Sequence, residues 1–184
     1  MNLPTFKISI LSIFMFFIGH VSAEAPEVPT KAPYIVLSDN LDEPNGYGFC
    51  IDTDGAGVSE LLHSHSCKPF RPDEEPNDPR GNDTRFEYNA ETKNISAYAF
   101  EGCLQVLTAR GRSEFALLEC SDHPHQKFVY QSSDKTFRLD VDQSRCMAVE
   151  SETLPAGGWV KRTLTLADCS ETETLLKQWT VVSG

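Results

Sequence analysis

The sequence predicts an all-β domain built from three copies of one unit and closed on itself. Two observations carry this. A series of residues recurs three times: a cysteine, an apolar segment alternating into a second cysteine, then an aromatic residue. Nowhere does a helical apolar spacing persist over about 12 residues; apolar residues alternate, as in half-buried strands. A repeat with a period of tens of residues decides the architecture before any single element does.

The middle unit is the clearest copy. Cys103 is followed by Phe115-Ala-Leu117-Leu-Glu-Cys120 and then by Gln126-Lys-Phe128. Before it, Cys50-Ile-Asp52 leads to Leu62-His-Ser-His-Ser-Cys67 and to Thr84-Arg-Phe86; after it, Cys146 leads to Leu164-Thr-Leu166-Ala-Asp-Cys169 and Lys177-Gln-Trp179. The boundaries read as residues 34–102, 103–145 and 146–184. About four strands per unit makes twelve, and closure of such a set removes exposed sheet edges.

The elements follow in order. Lys7, the apolar run Ile8–Ile18 and the small residues Val21 and Ala23 form a secretory leader with a cut before Glu24. The run is short for a membrane span, so an uncleaved anchor is the lesser alternative, and no later stretch is long enough. Residues 24–33 are Pro-rich and read as a linker. Tyr34–Leu37 is the first strand. Unit one adds strands at Phe49–Ile51, Glu60–Cys67, Arg85–Tyr88 and Ile95–Phe100. It also carries an acidic, Pro-rich insertion over 68–82 that reads as a surface loop. Unit two has strands at Leu104–Leu107, Phe115–Cys120, Lys127–Tyr130 and Thr136–Leu139, and unit three at Met147–Val149, Val160–Cys169 and Lys177–Val182, with Pro155–Gly158 as a loop.

Removing the leader leaves 161 of 184 residues, and the loss of Lys7 takes the net charge from −11 to about −12. That balance argues against nucleic acid and anionic membrane as partners. An exported chain permits disulfides. Six cysteines allow 15 pairings, and the repeat selects Cys50–Cys67, Cys103–Cys120 and Cys146–Cys169. Loops of this size contribute about 3 kcal/mol each. A zinc site would want a CxxC pair, and the sequence has none.

Together, Cys-x-Asp, the alternation into the second cysteine and the closing Gln126-Lys-Phe128 and Lys177-Gln-Trp179 resemble the ricin-type β-trefoil lectin domain. The resemblance covers residues 34–184. Thr84-Arg-Phe86 lacks the glutamine of that closing motif. The resemblance implies a β-trefoil with Phe86, Phe128 and Trp179 in the core. It also implies a shallow sugar pocket on each competent unit, built from an acid two residues after the first cysteine and an aromatic two before the second. A polar residue four before that cysteine and another three before the closing aromatic complete it. In unit one these positions hold Asp52, His65, His63 and Asp83. Unit two has Gln105, Leu118, Ala116 and His125, without a stacking ring; unit three has Ala148, Ala167, Thr165 and Leu176, without a polar set.

The expected function is therefore a secreted carbohydrate binder with at most one competent pocket, in unit one, with a glycan or glycoprotein as partner. The alternative is a trefoil that acts through protein contacts, with 68–82 as the contact. Asp52 and Asp54 could equally cap the Gly-rich turn that follows them. No cofactor and no metal are expected: His63 and His65, even with Asp52 nearby, lack a further spaced ligand, and Asp52-Thr-Asp-Gly55 lacks the rest of a calcium loop. No nucleophile motif marks an enzyme. Asn82-Asp-Thr84 and Asn94-Ile-Ser96 match the N-glycosylation acceptor and fall in predicted loops or turns.

Overall fold

The computed structural model describes residues 24–55, 61–70, 82–109 and 112–184. The predicted leader and most of the acidic insertion, 71–81, lie outside the described residues. Thirteen strands are present among those described. β1 (Tyr34–Leu37) comes first. Unit one supplies β2 (Phe49–Thr53), β3 (Leu61–Ser66), β4 (Phe86–Asn89) and β5 (Asn94–Ala97). Unit two supplies β6 (Cys103–Ala109), β7 (Arg112–Leu118), β8 (Phe128–Gln131) and β9 (Thr136–Leu139). Unit three supplies β10 (Asp142–Val149), β11 (Leu154–Ala156), β12 (Trp159–Asp168) and β13 (Trp179–Val182).

Equivalent strands pair alike. β2–β3, β6–β7 and β10–β12 form antiparallel hairpins, and each carries one disulfide: Cys50–Cys67, Cys103–Cys120 and Cys146–Cys169. Their Cα atoms are 5.0, 4.8 and 5.1 Å apart, within the span a cystine bridges without distortion. β4–β5 and β8–β9 are the second pairs of units one and two. In unit three, β13 pairs with β1, Trp179 lying opposite Leu37. The strand that chain order sets at the head of unit one thus supplies the fourth strand of unit three. Because β1 also pairs with β2, the chain closes on itself.

The sequence reads Pro155–Gly158 as a loop, and the structure makes it a hairpin. β11 folds back on β12 through Gly157, whose φ of 65° favours glycine.

The alternating positions converge on one core. Phe86, Phe128 and Trp179 are fully buried, as are Leu104, Leu117, Phe137 and Met147. Trp179 satisfies its indole N–H on the carbonyl of Met147 at 2.9 Å. In unit one the position matching Leu117 and Leu166 is Ser64. It is fully buried, and its hydroxyl has no hydrogen-bond partner.

Residues 24–33 have no strand character, yet they are strapped to the domain rather than free of it. Glu27 N–H donates to the Gly46 carbonyl, Phe70 N–H to Pro29, and the Arg85 guanidinium to the carbonyls of Lys31 and Ala32. A side chain at Gly48 would meet Pro26 at 2.5 Å, so glycine is what lets the strap lie flat. Both sequons are engaged in the fold: Asn82 is buried with Oδ1 accepting from Arg85, and Asn94, which opens β5, bonds to the Gln126 carbonyl and to Lys127. No helix among the described residues is long and apolar enough to cross a membrane.

Candidate functional site

The β2–β3 register sets Asp52 opposite His63 and Cys50 opposite His65. With a period of two, both imidazoles rise from the strand face that Asp52 shares. His63 Nε2 and His65 Nδ1 each lie 3.8 Å from Asp52 Oδ2, too far for a hydrogen bond but close enough to act on its charge. The rings are 5.7 Å apart. His65 Nδ1 is 2.9 Å from the Ser66 carbonyl and so carries the proton.

Asp83 reaches the same place from the far side of the insertion. The link is Lys68, whose ammonium sits 2.9 Å from Asp52 Oδ2 and 2.5 Å from Asp83 Oδ2. Asp52 is only 1% exposed and the Lys68 side chain 22%. Lys68 and Asp83 stand at the two feet of the insertion, so their ion pair ties its base. A second set borders the first: Asp54 accepts from Lys161 at 3.1 Å and lies 3.3 Å from His63 Nδ1. Asp54 is half exposed, so that pair adds little stability.

Charge distributes unevenly over the cluster. Burial opposes ionisation of Asp52, but His63 and the Lys68 ammonium outweigh it and hold the carboxyl below its ordinary range. Burial, with the Asp52 charge added, pushes Asp83 up to about 7 against the pull of Lys68. Burial alone would lower Lys68, and the two carboxylates reverse that and raise it. Burial holds His65 below its usual value, only partly offset by the Ser66 carbonyl and Asp52.

These groups line an open pocket of about 490 Å³, together with Lys161 and Ala156 of unit three. His63 Nε2 and Asp83 Oδ1 are buried without a hydrogen-bond partner among the described residues. Orphaned polar atoms of this kind are uncommon, and each calls for an explanation. The structure thus brings together all four residues singled out in unit one. Sequence reasoning missed Lys68. A signal was present: the residue after the second cysteine is Ser121 in unit two and Ser170 in unit three, but a lysine in unit one.

The matching places elsewhere carry different side chains. In unit two, Gln126 is buried and its amide spans Gln105 Oε1 at 3.0 Å and the Glu119 carbonyl at 2.9 Å, while its Oε1 accepts from Ser121 N–H. That network engages the side-chain amides of Gln105 and Gln126 with each other and with the backbone. In unit three Ala148 is buried and offers no polar side chain.

Solved structures share this architecture. The beta-trefoil lectin of the Vibrio vulnificus hemolysin/cytolysin, with N-acetyl-D-lactosamine bound, matches with a TM-score of 0.55 at 10% identity, over 82% of this chain and 93% of that one. The fold is a β-trefoil. The C-half of the earthworm R-type lectin in complex with GalNAc matches this trefoil with a TM-score of 0.51 at 9% identity, over 83% of this chain and 100% of the other. GalNAc-T7 with UDP, GalNAc and Mn2+ matches at 0.54 and 14% identity, over 86% of this chain, which spans only 23% of that one. At these identities the likeness is one of fold. No family model matches the trefoil, and no curated protein does either.

Proposed function

We infer that this trefoil is an exported carbohydrate-binding protein with one sugar pocket, in unit one. The observation that carries the reading is convergence: Asp52, His63, His65 and Asp83, drawn from three separate stretches of the chain, border a single open pocket. Two of the solved trefoils similar in shape hold a sugar. Carboxylates accept from sugar hydroxyls, the Lys68 ammonium donates to ring or hydroxyl oxygens, and an imidazole ring covers C–H groups of a pyranose. The pocket sets three carboxylates against two lysines. Above the Asp83 value of about 7 the excess negative charge disfavours sialic and uronic acids, so the ligand class is a neutral sugar. A shallow single site binds weakly, and useful avidity comes from clustered glycans.

A glycan array followed by calorimetric titration tests this. Wild type is expected to bind neutral glycans at pH 7.5, and Asp52→Asn to lose that binding while keeping the wild-type near-ultraviolet circular dichroism. Failure to bind any neutral glycan would sink the reading, as would undiminished binding by a folded Asp52→Asn protein.

A further inference from the structure

The strap ends at Glu24, whose backbone nitrogen lies 3.0 Å from Asp39 Oδ2. Asp39 Oδ1 accepts from Leu41 N–H at 2.7 Å, and the Glu24 carbonyl accepts from Asn40 N–H at 2.7 Å. Asp39 is 7% exposed, and no lysine, arginine or histidine among the described residues is within ion-pair distance of it. A carboxylate this buried is costly unless a positive charge or several donors compensate it.

We propose that cleavage between Ala23 and Glu24 creates the missing cation: the new α-ammonium of Glu24 forms a partly buried ion pair with Asp39 and locks the strap in place. Two independent lines meet at one nitrogen. The small residues at Val21 and Ala23 put the cut before Glu24, and the fold independently aims that nitrogen at an unpaired carboxylate. In the processing step water adds across the Ala23–Glu24 peptide bond, leaving a carboxylate on Ala23 and an amine on Glu24, protonated near neutral pH.

The consequence reaches past the terminus. The strap's Thr30 hydroxyl donates to the Lys68 carbonyl, and its Lys31 and Ala32 carbonyls receive Arg85, two residues after Asp83. Seating the strap therefore holds both feet of the insertion and, with them, the Lys68–Asp83 pair. The same strap leads directly into β1, the strand that closes the trefoil.

The test uses the full chain, secreted and processed by its own leader. Intact mass and N-terminal sequencing should give Glu24 as the first residue. Four proteins are then compared by thermal unfolding: wild type, Asp39→Asn, a Gly-Ser insertion between Ala23 and Glu24, and the two changes combined. The insertion leaves an amide hydrogen at Glu24 but removes its charge. It should lower Tm by about 2–4 °C, and Asp39→Asn should cost clearly less with the insertion than without it. A first residue other than Glu24 overturns the proposal, and so does an equal cost of Asp39→Asn in both settings. If Asp39→Asn does not fold, the insertion alone decides: an unchanged Tm overturns the proposal. None of these readings depends on sugar binding.

Discussion

Replacing Lys68 with Met keeps the aliphatic stem and deletes the ammonium that bridges Asp52 and Asp83. Removing one partner of a buried pair costs about 3–5 kcal/mol, because a charge is left uncompensated. Lys68 keeps 22% exposure, which sets the expectation at the low end, about 3 kcal/mol at pH 8. For a chain of this size that is a fall in Tm of about 6–12 °C. The sign of the pH dependence follows from Asp83. Its folded pKa of about 7 lies above the unfolded value, so the folded state binds the extra proton and this group's contribution falls as pH rises from about 4 to 7. Without Lys68 the folded pKa rises further, and the variant loses stability more steeply over that range. The cost should therefore shrink to about 1–2 kcal/mol at pH 5. Adding Asp83→Asn, which removes the second carboxylate, should recover part of the loss at pH 8. Thermal unfolding at both pH values decides it. A loss under about 1 kcal/mol at pH 8, or a larger loss at pH 5 than at pH 8, would show that Lys68 does not hold the two carboxylates.

Two further substitutions probe the core. Ser64→Ala removes a buried hydroxyl without a partner and should raise Tm by about 2–4 °C, from roughly 1 kcal/mol of relieved desolvation; a lower Tm would mean that the hydroxyl is satisfied in solution. Trp179→Phe leaves the Met147 carbonyl unpaired and opens space beneath it. It should cost about 2 kcal/mol and lower the urea midpoint at an unchanged slope, whereas an unchanged midpoint would remove Trp179 from the core argument.

Much of the architecture was legible because the cysteines and closing aromatics occupy equivalent places in every unit. Phe86, Phe128 and Trp179 each follow the second cysteine of their unit, and each is buried for the same packing reason. The hairpin partners Asp52 and His63 could be paired from counting alone, since a strand register is periodic. Lys68 could not, because its contact with Asp83 crosses an insertion of irregular chain that no periodicity spans. The role of Tyr34–Leu37 was hidden for a related reason: its partner Trp179–Val182 is the most distant strand in sequence. Residues 24–33 looked like a spacer because backbone carbonyls make most of their contacts, and backbone groups leave no trace in composition.

The pairing of β1 with β13 also bears on when this molecule can finish folding. The first strand to leave the ribosome must wait for the last, with Tyr34 facing Val182. Loop closure over that distance is slow, and until it happens an open edge is bare to other chains. A protein truncated by a few residues at its C-terminus would lose the mate of its opening strand, leaving three sound cystine hairpins around an unsealed ring.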